Sequence, residues 1–397
     1  LFPDFLQPRR LFAVLFLLAL LPVPLYAEQT LVTPSVSVRE EYNDNVFAQL
    51  SGRRGDFITT LAPALEFSRS SERGSATLAG GLNELLYLRN STSDGLGFFA
   101  RGAGSYALTP RMALSADLGG SKDSSASSIN PATSLVTTSR ILHQNYRLGG
   151  KYQASEPLSC ALSLSYGRDD YDSPAYLDTK HYLAGSNLVY DLGRFFPGTA
   201  LVQALNFNRD TTAVSQVDTL GATVGFTKSI NELWQLQVNG GGNYAHSRFR
   251  AAGTPAWGTH EEGGAVGNLS LGYSAERLSG SLTFSQSLVS ASGRSGSTQR
   301  TGGTLSLSDK FSPRLTGTLS AGYARNWAGQ DQLGSGAIDE RYRNLAAALH
   351  YDFYAAPSDL ALEASYTYNN VDYHLLHSEM NQNIVMVRLI WQHLSIR

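Results

Sequence analysis

Cysteine is almost absent from the 397 residues. Cys160 is the only one, so the chain cannot close an intramolecular disulfide. Charge is scarce as well: Asp, Glu, Lys and Arg make up 16% of the chain and the formal net charge is −2. So weak a balance leaves no basic footprint for a nucleic-acid partner. After residue 27 no apolar run approaches the roughly 20 residues that a membrane helix needs. No linker, charge block or shift of composition marks a domain boundary, although a chain of this length ordinarily divides. Stability without disulfides or a second domain must come from one large repetitive structure.

What is present begins with an export signature. Arg9 and Arg10 precede the apolar run Leu11 to Leu21, followed by Pro22-Val23-Pro24-Leu25-Tyr26-Ala27 and the polar Glu28-Gln29. A positive start, a short apolar stretch and a small residue before a polar start predict a secretory signal peptide over residues 1–27, cleaved after Ala27. Removing Asp4, Arg9 and Arg10 with it leaves 29 basic and 32 acidic residues in the mature chain.

From there to the end one pattern repeats. Segments of about 10–14 residues alternate apolar with small or polar side chains. Leu360, Leu362, Ala364, Tyr366 and Tyr368 fall on one face of a strand, and Ala361, Glu363, Ser365, Thr367 and Asn369 on the other. The stretches Trp234–Asn239, Leu220–Thr227, Leu269–Tyr273 and Cys160–Tyr166 read the same way. A soluble sandwich also alternates, but its strands typically run about 5–6 residues. Strands tilted across a bilayer need about 9–11. The polar face is made largely of Gly, Ser, Thr, Asn and Gln, which suits a wet lumen better than a closed core.

The connections alternate too. A short set includes Ser70–Arg73, Thr109–Pro110, Ser155–Pro157, Arg194–Gly198, Ser229–Glu232, Ala275–Ser279, Phe311–Arg314 and Ala355–Asp359. A longer, Gly/Ser/Asp-rich set includes Phe47–Asp56, Asn90–Gly95, Ser121–Thr138, Asp169–Thr179, Arg209–Gln216, Ser247–His260, Ala291–Gln299, Gly329–Glu340 and Asn370–Glu379. Short turns on one rim and long loops on the other predict an all-β fold: a single transmembrane antiparallel up-and-down β-barrel over residues 28–397, with about 18 strands (16–18). Hydrocarbon supplies no hydrogen-bond partners, so the sheet must close. The first strand (Pro34–Val46) should pair with the last (Ile384–Leu394). Trp391 and the recurring Tyr42, Tyr106, Tyr166, Tyr244, Tyr273 and Tyr323 near segment ends fit aromatic girdles at the membrane interfaces.

No catalytic constellation emerges. There is no Gly-x-Ser-x-Gly elbow, Walker loop or His-Glu-x-x-His. The eight histidines, His143, His181, His246, His260, His350, His374, His377 and His393, fall mostly in loops or at segment ends. Neither a metal nor a cofactor is expected, and the chain does not read as an enzyme. Pore chemistry is left. Charges within membrane strands should point inward, because Arg or Lys exposed to lipid at mid-depth costs about 2–4 kcal/mol. Alternation assigns Arg39, Glu41, Glu66, Arg101, Asp117, Arg147, Lys151, Glu363 and Arg388 to the lumen, where they either guide a polar solute or neutralise one another. Glu40, next to Glu41, should face outward near the outer rim. The longest loop, including Ser121, Lys122, Asp123 and Asn130, is expected to be solvated and external; the alternative is that it folds inward and narrows the pore.

The segment Ser37-Val38-Arg39-Glu40-Glu41-Tyr42-Asn43-Asp44-Asn45-Val46-Phe47, directly after the export signal, resembles the start of the outer-membrane β-barrel porins found with exopolysaccharide and exosortase gene clusters. The ending Val387-Arg388-Leu389-Ile390-Trp391-Gln392 is similar to theirs. The resemblance implies an outer-membrane conduit for a secreted polysaccharide, working with a periplasmic polysaccharide-export protein. Abundant Tyr and Trp would then stack on sugar rings. Two other readings stand beside it: a general diffusion porin for small polar solutes, and an outer-membrane enzyme or purely structural barrel. In each, outer-membrane lipid surrounds the chain.

Overall fold

A computed structural model describes residues 29–130, 136–250, 257–290, 297–328, 337–354, 358–393 and 395–396. The proposed signal peptide lies outside the described residues. The strands are β1 (Gln29–Asn43), β2 (Asp56–Ser70), β3 (Gly74–Tyr87), β4 (Gly95–Thr109), β5 (Met112–Asp123), β6 (Ser128–Ile129), β7 (Val136–Thr137), β8 (Ile141–Gln153), β9 (Leu158–Tyr171), β10 (Thr179–Asp191) and β11 (Thr199–Thr211). They continue as β12 (Ser215–Ser229), β13 (Trp234–Phe249), β14 (Gly258–Ser274), β15 (Leu278–Ser290), β16 (Ser297–Ser312), β17 (Leu315–Ala328), β18 (Ile338–Tyr354), β19 (Ser358–Tyr373), β20 (Ser378–His393) and β21 (Ser395–Ile396).

Each long strand pairs antiparallel with its neighbour in the chain, and β1 closes the sheet by pairing with β20 and its short continuation β21. Setting aside the β6–β7 hairpin and β21, 18 strands form a closed barrel. No described helix is long and apolar enough to cross a membrane. Closure is the physical requirement met by β1 and β20: register runs from Ser35↔Gln392 to Asn43↔Ile384, so no sheet edge is left open between them.

The outward faces carry an apolar band. Val36 and Val38 on β1, Leu162 and Leu164 on β9, Leu220 and Val224 on β12, and Val385, Val387 and Leu389 on β20 are all exposed. Six tyrosines expected in girdles, Tyr42, Tyr106, Tyr166, Tyr244, Tyr273 and Tyr323, stand on this face by register. Some aromatics meet across strands, with ring centroids 4.8 Å apart for Trp234–Tyr273 and 5.1 Å for Tyr166–Tyr182. A wall with its apolar residues outside and its polar ones inside is the inverse of a soluble barrel, and only a bilayer makes that burial favourable.

Strands run longer at the loop-side rim than alternation indicates. The β11–β12 connection is three residues, Thr212–Val214, not Arg209–Gln216, and Asp169 belongs to β9. The first strand is the exception at this rim, ending at Asn43 rather than Val46. Above the apolar band both faces turn polar, so the hydropathy signal stops while backbone pairing continues. Cross-strand ion pairs take over there: Arg209–Asp218 at 2.6 Å and Arg325–Asp339 at 2.8 Å.

Candidate functional site: the lumen and its loop-side mouth

Register fixes where each anticipated charge stands. Arg39 and Glu41 (β1), Glu66 (β2), Arg101 (β4), Asp117 (β5), Arg147 and Lys151 (β8), Glu363 (β19) and Arg388 (β20) all lie on the face opposite the apolar band. They are largely paired. Arg388 Nη2 donates to Glu363 Oε2 at 2.6 Å, and Arg101 Nη2 to Glu66 Oε2 at 3.0 Å, reaching past Ala79 on the strand between. Arg39 Nη2 donates to Thr60 Oγ1 at 3.1 Å and lies 3.8 Å from Glu41. Asp117 faces Arg147 directly. Glu40 stands outward and accepts a 2.7 Å hydrogen bond from Thr59 Oγ1.

These charges occupy one side of the lumen, on β1–β8 and β19–β20. Across β11 to β17 the inward mid-depth positions are Asn206, Thr223, Asn239, Asn268, Thr283, Thr304 and Ser320. The lumen thus has an ion-paired wall facing a neutral wall of hydroxyls and amides. Its aromatic content is small. The girdle tyrosines face away from it, as expected of a girdle; Phe99 stands inward, and so do Tyr87, Tyr171, Phe249, Tyr342 and Tyr373 near the loop-side mouth.

One lumen cluster was hidden in the sequence. His143, Asp169, His181 and Asp210 come from β8, β9, β10 and β11 and form a continuous chain. His143 Nδ1 is 2.7 Å from Asp169 Oδ1, His181 Nε2 is 3.5 Å from Asp169 Oδ2, and His181 Nδ1 bonds to Asp210. Asn208 Nδ2 donates to the other Asp210 oxygen at 2.9 Å. Reading Asp169 and Arg209–Gln216 as loop concealed it; the alternation of these residues with outward Tyr182 and Phe207 is the signal that would have exposed it. His374 and His377 flank a short turn with ring centroids 6.4 Å apart. Among the described residues no group of three His, Cys, Asp or Glu is placed to hold a metal ion.

The longest loop corrects the expectation of an external position. It begins at Ser124: Ser121, Lys122 and Asp123 belong to β5. Ser121 and Asp123 face inward, whereas Lys122 faces outward and lies 3.3 Å from Asp172. Beyond β5 the chain crosses the mouth. Ala126 N donates to the Tyr87 hydroxyl at 3.0 Å, and Ser127 Oγ donates to the Val46 carbonyl at 2.8 Å. Ile129 and Val136, on the β6–β7 hairpin, then pack against buried Ala324, Tyr342, Val371 and Met380 on β17–β20, across the barrel from β5 and β8. Asn130 ends the described part of the hairpin's first arm. A second cluster joins Ala126 and Phe47 to Val46, Ile58, Leu85 and Tyr87. The apolar residues that should have formed a core are gathered here, in a plug on the loop-side mouth.

The 44–55 loop completes the plug, and Asp44 and Asn45 fasten it to the barrel seam. Asn383 donates to both Asp44 carboxylate oxygens, from its backbone and side-chain nitrogens, each at 2.7 Å. Asn45 is fully buried; its Nδ2 donates to the carbonyls of Gln49 and Asn381 at 2.9 Å, and its Oδ1 accepts from Gln49 N at 2.9 Å. Gln382 Nε2 donates to the Asn45 carbonyl at 3.1 Å. Beneath the plug lies a cavity of about 480 Å³ lined by Arg39, Thr60, Asn83, Phe99, Asp123 and Arg388, among others.

No family model matches the chain, and no curated protein matches it. Solved structures resemble it in outline. OccAB4 of Acinetobacter baumannii is 11% identical, with a TM-score of 0.48 over 95% of this chain and all of that one. The outer membrane protein OpdK of Pseudomonas aeruginosa is 12% identical, with a TM-score of 0.46 over 92% of this chain and 99% of that one. OccK2 (OpdF) of the same organism, solved with glucuronate, is 10% identical, with a TM-score of 0.47 over 92% and 98%. The barrel stands on its own strand register and takes nothing from these likenesses. Nothing in these likenesses links the chain to exopolysaccharide or exosortase gene clusters.

Proposed function

We propose that the chain is an outer-membrane pore for small polar solutes, exported with the help of residues 1–27. The carrying observation is the inversion of the wall: paired charges, hydroxyls and amides line the lumen, while leucines, valines and tyrosines face outward. A lumen of this composition holds water, and 18 strands enclose a channel of porin size. The mouth is crossed by the plug, so passage is restricted to solutes that fit past it. The polysaccharide-conduit reading is the less supported one, since the mid-depth lumen presents paired charges, hydroxyls and amides rather than an aromatic track, and the plug narrows the exit. A periplasmic export partner belongs to that reading alone.

Single-channel recording of the refolded chain in a planar bilayer tests the proposal, with neutral oligosaccharides as blockers. Discrete conductance steps, reduced by small sugars added on either side, are the expected result. A chain that circular dichroism shows to be β-rich and that inserts without conducting would overturn it. Large steps blocked only by long polysaccharide from the short-turn side would return the conduit reading.

A further inference from the structure

The ladder of the barrel is interrupted between β14 and β15. These strands pair from Ser274↔Ser279 only as far as Gly267↔Gln286. Both continue toward the loop side beyond that rung: β14 stays paired to β13 as far as Phe249↔Gly258, and β15 to β16 as far as Ser290↔Ser297. The next rungs by register, Val266 with Ser287 and Ala265 with Leu288, are not made. A side chain stands in for them. Asn243, inward on β13 and opposite Gly264, has its amide turned to suit both edges: Nδ2 donates to the Gly264 carbonyl at 2.9 Å, and Oδ1 accepts from Leu288 N at 3.3 Å. Gln299 of β16 reaches the same place, its Nε2 3.9 Å from where a Cβ on Gly264 would stand.

The split begins inside the apolar band. Tyr244, a girdle residue toward the loop side, stands opposite Gly263, four positions beyond Gly267. Hydrocarbon satisfies no backbone group, so open strand edges at this depth persist only where protein covers them or where they line a wet cavity. The bilayer face offers no cover. Gly240, Gly242, Gly263, Ala265 and Gly267 leave β13 and β14 without a side chain longer than a methyl beside the split. Packing does not demand these glycines. A Cβ on Gly240 would meet nothing within 4 Å, and one on Gly242 or Gly263 only a carbonyl, at 3.6 or 3.8 Å. On the lumen face Glu262 follows Gly264, and its Oε2 is buried with no partner among the described residues. A carboxylate oxygen so placed is costly until a donor reaches it. Arg300, inward on β16 opposite Ser287, balances its charge within the lumen.

We propose that the β14–β15 seam is a lateral opening through which an uncharged single-chain amphiphile passes between the lumen and the loop-side leaflet. Its hydroxyl end donates to Glu262 and meets Asn243, and its chain lies over Gly240, Gly242 and Ala265. The charge balance of Glu262 with Arg300 suits an uncharged end, and the lone carboxylate acceptor suits a donor over a carboxylate. The proposal rests on the membrane-spanning reading of the barrel.

Amide hydrogen exchange of the full chain in phosphatidylcholine nanodiscs tests the opening, and photolabelling tests the passenger. The seam-facing amides of 263–267 and 286–289 should exchange at least tenfold faster than those of 220–224 on β12 and 303–307 on β16, whose seams are closed. Dodecanol carrying a diazirine at its far end should label 240–244 and 262–267 at least fivefold above 162–166 on the opposite wall. The matching dodecanoate should show no such enrichment. Ala265→Cys with Leu288→Cys, oxidised in a Cys160→Ser background, should slow the exchange and abolish the enrichment, and reduction should restore both. Glu262→Gln should lower dodecanol labelling several-fold with the exchange unchanged. Exchange as slow as in the closed seams, or labelling spread evenly around the barrel, would overturn the opening. Equal enrichment of dodecanol and dodecanoate would overturn the passenger. A wild-type chain that inserts and conducts but exchanges slowly at the seam keeps the pore and loses the opening, whereas one that does not insert loses both.

Discussion

At the scale of single residues, Asn45 does more than its size suggests. It has no exposed surface, and its side chain answers three backbone groups, one of them on β20. Removing the amide leaves buried donors and acceptors unpaired, each at about 1–3 kcal/mol. Asn45→Ala should therefore lower unfolding free energy by about 2–4 kcal/mol, read from urea midpoints in detergent. The face assignment is tested by neighbours in the chain. Leu164 faces lipid at mid-strand and Ser165 faces the lumen. Leu164→Arg should cost about 2–4 kcal/mol and Ser165→Arg far less. Equal costs for the two would mean that the wall is not inserted as described.

At the scale of elements, the segment between β5 and β8 decides how open the mouth is. Replacing residues 125–138 by a short Gly-Ser link removes Ile129 and Val136 from their contacts with Tyr342, Val371 and Met380. Single-channel conductance should rise at least twofold, with the far-ultraviolet spectrum unchanged; unchanged conductance would show that the loop does not limit passage. Strands, the alternation of short turns with long loops, and the inward set from Arg39 to Arg388 were legible because a membrane wall imposes a period of two and one sign of polarity per face. The plug was not. Ser124-Ser125-Ala126-Ser127-Ser128 has the composition of a solvated loop. Its two apolar anchors find their core on strands more than 180 residues away in sequence. Local pattern carries no information about a contact of that range. The His143–Asp169–His181–Asp210 chain was missed for a related reason, since strands that rise above the apolar band lose the outward hydrophobic marker that signals them.

For the whole molecule, the proposed pore would take its selectivity from the distribution of charge in the lumen. The inward set holds Arg39, Arg101, Arg147, Lys151 and Arg388 against Glu41, Glu66, Asp117 and Glu363, nearly balanced in sign, with Arg39–Glu41, Arg101–Glu66 and Arg388–Glu363 as ion pairs and Asp117 opposite Arg147 in register. Paired charges cancel at a distance, and physiological salt screens beyond about 8 Å. The wild-type pore should therefore discriminate only weakly between anions and cations. Balance is fragile at one place. Arg39 and Arg388 face each other across the β1–β20 seam and line the cavity under the plug. Reversing both, Arg39→Glu with Arg388→Glu, leaves Glu41 and Glu363 without their cations and sets four carboxylates around the constriction. The reversal potential in a potassium chloride gradient should move clearly toward cation selectivity, while Lys151→Glu, remote from the plug on the turn-side half of β8, should shift it far less. If the Lys151 change proved as effective as the double reversal, selectivity would be set by the total lumen charge, and the cavity beneath the plug would lose its claim to be the filter.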